Sequence, residues 1–273
     1  MNYRIGEIAK LMGVSIEAIR FFEKRGLVSP QRDEESGRRT YNAVDYNILM
    51  RARGYSRFGF TLAEAAALIE NCDLSDMAER FETQCTKLKE QIRFQELLLD
   101  CLRQRQRHLD RISGMVGQCV VEKSPQMYGI LFRTNLDITK DETLREQARR
   151  WGEYKPFAET LLSYPVETLC GRGRNYFHGL CMMEEFAREF GVTDDPDVIC
   201  FPAQRAVFSV ECIPYEATLP QTIGALAFDE ALRFIKEQGL TVAGESYGRT
   251  LHTSKKDGQY VHYSEQWIPV KET

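Results

Sequence analysis

The chain has 273 residues, of which 43% are hydrophobic and 28% are charged, and its net charge is −4. This composition excludes a disordered or membrane-embedded protein, and no long apolar run or apolar start is present, so we expect a cytoplasmic protein. The charge is uneven, because residues 1–60 carry 11 Lys and Arg against 7 Asp and Glu. That end of the chain is therefore suited to contact phosphates.

The N-terminal segment has the pattern of a helix-turn-helix. Apolar residues at helical spacing predict a helix over residues 5–12, and Ser15 is a suitable N-cap for a second helix from Ile16 to Arg25. In such a motif the second helix enters the major groove, where Arg20 and Lys24 reach guanine edges or phosphates. For these two residues taken alone, a solvated helix with exposed basic side chains is the alternative.

The next segment predicts a small wing. Residues 32–41 have turn chemistry between short extended pieces, which is typical of a hairpin that would carry Arg38, Arg39 and Tyr41. On a winged helix-turn-helix these three side chains would contact the flanking DNA backbone.

The middle of the chain is predicted to be helical. One helix is expected from about Val44 to Arg53, and another from Thr61 to Ile69, where Thr61 and Glu64 fit a capping box. From Leu74 to Val116 apolar residues recur every seven positions among polar ones, which indicates a long coiled-coil helix. Dimerisation is its simplest role, and an internal hairpin helix packed on its own chain is the alternative.

Beyond Pro125 the pattern predicts an α+β domain with a two-fold internal repeat. Strands are expected at residues 128–133, 166–172, 176–183, 204–212, 242–251 and 259–268, and helices at residues 141–162 and 227–238. This order is strand-helix-strand-strand, twice, which predicts a duplicated βαββ domain. The expected domains are therefore 1–73 for the winged helix-turn-helix, 74–118 for the coiled-coil helix and 125–273 for the duplicated domain.

The motifs resemble those of the MerR family of transcription regulators. YRIGEIAKLMGVSIEAIRFFEKRGLVSP, SGRRTY and GFTLAEAAALI match the family's N-terminal pattern over roughly residues 1–72. More loosely, FPAQRAVFSV and EQWIPV resemble the GyrI-type effector-binding domain. The resemblance implies an antiparallel homodimer on double-stranded promoter DNA. It also implies an activator for RNA polymerase that bends and untwists an overlong promoter spacer when a ligand binds.

The resemblance also assigns the DNA-binding residues. The family usually has Tyr where Phe21 and Phe22 stand, so hydroxyl contacts to phosphate would be missing here. The expected DNA-binding residues are Tyr3, Ser15, Arg20, Phe21, Phe22, Lys24, Arg38, Arg39, Tyr41 and Arg57.

Strand alternation suggests a ligand site in the C-terminal domain. Tyr263, Glu265 and Trp267 would share one face of the last strand, and Glu245 and Tyr247 would share a face of its neighbour. Lining one cleft, they would accept a small hydrophobic or cationic aromatic ligand. The alternative is that the aromatic rings fill the core and the glutamates face water. The expected ligand-binding residues are Trp151, Tyr154, Phe208, Glu245, Tyr247, Tyr263, Glu265 and Trp267.

Two other functions remain open. Cys119 follows the long helix, where many members of the family bind metal, which would suit a metal- or redox-responsive regulator, although no other Cys or His lies at ligand spacing. GyrI-type domains also hydrolyse certain electrophiles, for which Glu265 or Glu211 would be the base. We expect neither an enzyme nor a metal, and no cofactor is implied.

Overall fold

The computed structural model describes residues 3–33, 37–214 and 228–272. The chain divides into two compact units, Met1–Glu96 and Leu97–Thr273. Within the described ranges no helix is long and apolar enough to cross a membrane. Residues 34–36 of the predicted wing turn and residue 227 of the last predicted helix lie outside these ranges.

The first unit contains the predicted winged helix-turn-helix. Its helices are α1 (Ile5–Met12), α2 (Ile16–Lys24), α3 (Ala43–Arg57) and α4 (Leu62–Asn71), and its strands are β1 (Tyr3–Arg4), β2 (Gln31–Arg32) and β3 (Arg39–Tyr41). The strands form a small antiparallel sheet in the order β1-β3-β2. The wing is therefore tied back to the start of the chain, because β3 pairs with β1 as well as with β2.

Local signals set the helix ends in this unit. Gly13 ends α1 in the left-handed region at φ 60°, and Ser15 caps α2 by accepting a hydrogen bond from the Ala18 amide at 3.1 Å. α3 is longer than predicted at both ends. It begins early because the Asn42 side chain accepts from two amides of its first turn, and it continues through Gly54, which a helix tolerates.

Side-chain caps begin both α4 and the long helix that follows it. Thr61 and Glu64 form the predicted capping box, with the Thr61 amide donating to Glu64 Oε2 at 2.7 Å. Asp73 then caps α5 (Leu74–Ile112), a helix of 39 residues, by accepting from the amides of Ser75 and Asp76. α5 ends four residues before Val116, in a turn that contains Gly114.

The second unit is built on an antiparallel sheet. Its strands are β4 (Cys119–Lys123), β5 (Met127–Thr134), β6 (Asp137–Ile138), β7 (Glu159–Tyr164), β8 (Phe177–Met183), β9 (Ile199–Phe201), β10 (Arg205–Pro214), β11 (Leu240–Val242), β12 (Ser246–Lys256) and β13 (Gln259–Glu272). Its helices after α5 are α6 (Glu142–Glu153), α7 (Val166–Leu169), α8 (Glu184–Glu189) and α9 (Asp229–Glu237).

The sheet order confirms the predicted duplication. The strands run β4-β10-β13-β12-β7-β8-β5-β6, so β5-α6-β7-β8 and β10-α9-β12-β13 are two βαββ repeats in mirrored order. The repeats meet where β7 pairs with β12, with Tyr164 opposite Ser246 and Leu161 opposite Arg249. The described part of the chain therefore has the α+β architecture that the sequence predicts.

Two predicted elements are wrong, and proline explains both. The helix expected over 141–162 stops at Glu153, because Pro156 has no amide hydrogen to donate, and the residues that follow form β7. The strand expected over 166–172 is the short helix α7, since Pro165 has the backbone angle that begins a helix. The short strands β4, β6, β9 and β11 and the helix α8 were not predicted, and β12 begins at Ser246 rather than at Val242.

The two faces of the sheet have different covers. Leu162, Val207 and Ile268 pack in one apolar cluster with Ala231 and Ile235 of α9. On the opposite face, Leu161, Phe208, Tyr247 and Trp267 pack in a cluster with Ile112 from the end of α5. The last turns of α5 thus belong to the second unit. They cover the face of the sheet that carries the candidate ligand residues Phe208, Tyr247 and Trp267.

Candidate functional sites

The first unit has an open groove of about 600 Å³ that is rich in arginine. Its basic side chains come from β1, α2, β2 and the wing, so residues far apart in sequence converge on one surface. α2 directs Arg20 into this groove because Ile19 and Phe22 on its other side are buried in the core. The basic residues that line the groove are Arg4, Arg20, Arg32, Arg38 and Arg39.

The local charge of the groove is positive but partly compensated. The Arg39 guanidinium lies 3.7 Å from Glu23, and Glu7 lines the groove beside Arg4. The remaining arginines leave an excess of positive charge on a surface formed by a helix and a wing, which suits a phosphate backbone.

Two of the predicted DNA contacts are wrong. Phe22 is 2% exposed and packs in the core of the unit, so it cannot reach a phosphate. Tyr41 is fully buried, and its hydroxyl donates to Glu23; burial, followed by that carboxylate, raises the pKa of Tyr41 above its usual range. Tyr41 therefore holds Glu23 in place from inside the core and does not contact DNA from the wing.

The other predicted DNA residues lie at or near the surface. Ser15, Lys24 and Arg57 are exposed, although the Ser15 hydroxyl is also the cap of α2. Phe21 is half-buried under the Arg25 guanidinium, which lies 5.3 Å from the ring centre, and Tyr3 is half-buried near Tyr46. Sequence reasoning missed Arg4 and Arg32, because only the pairing of the short strands brings them into the groove.

The second unit has a cavity of about 190 Å³ between the sheet and α5. It combines charged groups with apolar walls, and α5, β7, β12 and α8 all contribute. The lining residues are Cys101, Gln104, Arg105, His108, Leu109, Glu159, Met183, Phe186, Arg249 and Leu251. We call this the cleft cavity.

Arg249 is the centre of a buried charge network. It is 8% exposed, and its Nε donates to Glu265 Oε1 at 2.6 Å while its Nη1 lies 3.3 Å from Glu159 Oε1. Burial alone would lower the pKa of Arg249, but the charges of Glu265 and Glu159 outweigh it and raise the pKa. Burial alone would raise the pKa of Glu265, and Arg249 and His108 lower it instead.

α5 supplies the other partners of the two carboxylates. Cys101, Arg105, His108 and Ile112 lie on one face of the helix, because their spacing follows the helical repeat. The His108 imidazole contacts Glu265 Oε2, and Arg105 Nη2 lies 2.8 Å from Glu159 Oε1. Glu159 and Glu265 are therefore both already paired with side chains of the protein. An empty cation site would instead have an unpaired carboxylate.

An apolar groove of about 570 Å³ lies next to the cleft cavity. Leu109 and Leu251 line both spaces, so the two are adjacent. Most of the other walls are apolar or uncharged, namely Ile112, Ser113, Val116, Val210, His252, Ser254 and Tyr263. We call this the cleft groove.

The structure places the predicted ligand residues in different surroundings. The register sets Tyr247 beside Trp267 and Arg249 beside Glu265, so these four share the cleft face of the sheet. Tyr247, Trp267 and Phe208 pack in one cluster with Ile112 and are nearly or fully buried. Tyr263 lines the cleft groove, and Glu265 is fully buried behind Arg249 and His108.

Three other candidates do not line the cleft. Trp151 is fully buried in a cluster with Leu180 and Met182 of β8, and Tyr154 stacks on Phe190. Glu245 is exposed in the turn before β12. The predictions for these residues are wrong, because helix α6 packs behind the sheet and Glu245 precedes the strand that carries the network.

Four residues of the charge network in the cleft were missed by sequence reasoning. Glu159 lies inside a wrongly predicted helix, and the heptad pattern assigns Arg105 and His108 to outer positions of a coiled coil. Arg249 had a usable signal, since a lone charge in the apolar strand SYGRTL is unusual unless it is paired.

The fold and the groove of the first unit define a class, the winged helix-turn-helix DNA-binding domains. Residues 3–72 match the model of a family described as the MerR HTH family regulatory protein. The N-terminal part of the chain is therefore a MerR-type helix-turn-helix domain.

Similar proteins are transcriptional regulators by name. The HTH-type transcriptional regulator CueR of Escherichia coli O157:H7 is 40% identical over 65 residues, which is 24% of this chain and 48% of CueR. The HTH-type transcriptional activator TipA of Streptomyces coelicolor is 26% identical over 176 residues, 61% of this chain and 62% of TipA. A cryo-EM structure of an EcmrR–DNA complex aligns with 99% of this chain and 100% of that one at 16% identity and a TM-score of 0.36. The chain spans about half the length of the CueR proteins that it matches.

Proposed function

We propose that this chain is a ligand-responsive transcription regulator that binds promoter DNA through its first unit and a small molecule through the cleft of its second unit. The observation that carries the proposal is one chain with both an arginine-lined groove on a MerR-type helix-turn-helix and, in a separate unit, a cleft with adjacent polar and apolar spaces. TipA, which is similar over 61% of this chain, is an activator by name and supports the same role here.

The DNA contact follows from the groove. Arg20 of α2 would read base edges in the major groove, whereas Arg38 and Arg39, which line the same groove, would contact the backbone beside it. Because most of the contacts are to phosphate, binding should weaken steeply as salt increases.

A homodimer is the assembly that fits the long helix. Apolar side chains along α5 are exposed in the single chain, including Leu88 at 50%, Ile92 at 51% and Leu102 at 56%. Their heptad spacing suits pairing with a second copy of the helix. A two-fold dimer would present its two recognition helices about 34 Å apart, one turn of DNA.

Activation requires that the ligand favour a DNA-distorting conformation. Bending and untwisting a promoter spacer costs on the order of 1–6 kcal/mol, and differential affinity of the ligand for the activating state must supply this. RNA polymerase would then engage the realigned promoter elements. In this mechanism the protein performs no covalent chemistry.

The metal or redox alternative is weaker at Cys119. The thiolate is the form that binds metals and reacts with oxidants, whereas burial, followed by Glu211 and Glu230, raises the pKa of Cys119 to about 11. Within the described ranges, no group of three or more His, Cys, Asp and Glu is arranged to hold a metal ion.

The two glutamates that the hydrolase alternative names are not free bases in the cleft. Glu265 is held by Arg249 and His108, and Glu211 neighbours Val210 on β10 and so points away from the cleft groove that Val210 lines. Neither glutamate is placed to take a proton from a ligand in the cleft.

The proposal is tested in two stages with the full chain. Binding sites are first selected from random duplex DNA, and a thermal-shift screen then compares hydrophobic cations with neutral aromatic compounds. Transcription from the selected site should change when a stabilising compound is added. A compound that stabilises the protein, is consumed with turnover and leaves transcription unchanged would instead support an enzyme.

A further inference from the structure

The cleft cavity already contains a cation supplied by the chain itself. Arg105 reaches from α5 to place its Nη2 2.8 Å from Glu159 Oε1. We propose that Arg105 is a built-in occupant of a cation subsite at Glu159, and that the effector is an organic cation with an apolar body which displaces it. This inference rests on the proposed function of the cleft as the effector site.

Glu159 and not Glu265 is the carboxylate that a ligand can reach. The Glu265 side chain is 0% exposed and held by both Arg249 and His108, and breaking a buried pair of that kind is strongly destabilising. The Glu159 side chain is 19% exposed and lines the cavity. A cation that entered the cavity would therefore meet Glu159.

Arg105 is held weakly enough to be exchanged. Its side chain is 40% exposed, and its other hydrogen bond, to the Pro156 carbonyl oxygen, is long at 3.5 Å. Ion pairs with this degree of exposure contribute little net stability, and a long flexible side chain loses little when it returns to water. Arg249 is different, since it is buried and has contacts to two carboxylates.

The space around Glu159 determines the size and polarity of the rest of the ligand. The cavity of about 190 Å³ is smaller than a typical ligand pocket of roughly 300–1,000 Å³, so a ligand of ordinary size must extend beyond it. Leu109 and Leu251 also line the adjacent cleft groove, which is mainly apolar, so a ligand that reached past these two side chains would enter it. The ligand would thus have its charge at one end and an apolar body at the other.

Displacement of Arg105 would also remove a contact that fixes α5 to the sheet. Arg105 and His108 are polar contacts of α5 to the cleft, and the same helix continues along the chain to residue 74. A ligand that takes the place of Arg105 removes one of these contacts. Ligand affinity is then coupled to how α5 is held, which is the kind of differential interaction that regulation requires.

The test compares phenylguanidinium with phenylurea, its neutral isostere, by calorimetric titration of the full chain. Arg105→Gln should bind phenylguanidinium about two- to fivefold more tightly than the unaltered chain, because the competing guanidinium is gone. Glu159→Gln should bind it at least about tenfold more weakly, since the charge-assisted contact is lost. Neither substitution should change the affinity for phenylurea by more than about twofold.

Two further variants separate charge from folding. Arg105→Lys keeps a competing cation and should behave like the unaltered chain, and Arg103→Gln, which changes an exposed arginine of the same helix beside Asp100, should do the same. Equal affinity of Arg105→Gln and the unaltered chain for phenylguanidinium, or no binding by Arg105→Gln, would overturn the subsite. Equal gains for phenylurea would overturn the cation but leave the cleft as a ligand site, and the transcription test above is independent of both outcomes.

Discussion

Single side chains in this protein have roles that depend on what surrounds them. Arg20 is exposed in a groove that is open to solvent, whereas Arg249 is buried and donates hydrogen bonds to two carboxylates. The same residue type is therefore suited to phosphate recognition in one unit and to holding a network together in the other.

Replacing Arg20 with Ala should weaken DNA binding and relax base preference. A side chain that reads a guanine edge contributes about 1–3 kcal/mol of discrimination, which corresponds to roughly five- to 150-fold in affinity for the selected site. Fluorescence anisotropy on the selected duplex and on a single-base variant measures both effects at one salt concentration. Arg103→Ala, which changes an arginine of α5, is the control, and unchanged affinity of Arg20→Ala would remove Arg20 from base recognition.

Glu211 should make the stability of the second unit depend on pH. Burial, followed by the charge of Glu230, raises the pKa of Glu211 from 4.5 to about 8. Between these pH values the folded chain keeps a proton that the unfolded chain has lost, so the free energy of unfolding falls as the pH rises from 4.5 to 8.

The substitution Glu211→Gln should remove this fall. At pH 8 the variant should be more stable than the unaltered chain by up to about 4 kcal/mol, whereas near pH 4.5 the two should be similar. Thermal unfolding between about pH 5 and pH 9 measures the difference. Glu153→Gln, at an exposed site, should leave the pH profile unchanged, and a parallel profile for Glu211→Gln would show that Glu211 is not the group responsible.

At the scale of secondary structure, caps and glycines decide where the helices of the first unit begin and end. The side chains of Ser15, Asn42, Thr61 and Asp73 each accept hydrogen bonds from free amides at the start of a helix. Each cap satisfies donors that the helix itself leaves unpaired. These helix starts therefore rest on local contacts that substitution can remove one at a time.

Loss of the Thr61 cap should destabilise the first unit. Thr61→Ala removes both the hydroxyl that accepts from the Glu64 amide at 3.2 Å and its contact with the Glu64 carboxylate. The expected loss in the free energy of unfolding is about 1 kcal/mol, measured by urea denaturation. Thr83→Ala changes an exposed threonine inside α5 and is the control, and an equal effect of the two substitutions would contradict a capping role.

At the scale of the whole molecule, α5 is the element for which we propose a partner. Its last turns pack on the cleft face of the sheet, but apolar side chains earlier in the helix remain exposed in one chain. Pairing two copies of this helix would cover them and give the DNA-binding units the two-fold symmetry that a pseudo-palindromic site requires.

A charge among the exposed apolar side chains of α5 should prevent dimer formation. Ile92→Glu places a carboxylate where we expect the two helices to meet, so sedimentation should show a monomer and affinity for a two-half-site duplex should fall at least about tenfold. Gln91→Glu adds the same charge to the neighbouring exposed position and should leave the dimer intact. A dimer that persists with Ile92→Glu would place the interface elsewhere.

Elements with local signals could be predicted from the amino-acid sequence. Helical spacing, the caps at Ser15 and Thr61 and the heptad pattern predict the helix-turn-helix and α5, and period-two alternation predicts most strands of the duplicated βαββ domain. Alternation also put Glu265 and Trp267 on one face, because side chains in a strand alternate whatever the strand pairs with.

Which of these residues meet depends on the tertiary structure. Tyr41 is in the core and not on a DNA-facing wing because β3 pairs with both β1 and β2, and Arg4 and Arg32 join the groove for the same reason. In the cleft, Glu159 and Arg105 are far apart in sequence, and no local pattern records that the end of α5 lies over β7 and β12. Strand order and helix packing are long-range properties, so the charge network that defines the candidate effector site appears only when the chain is folded.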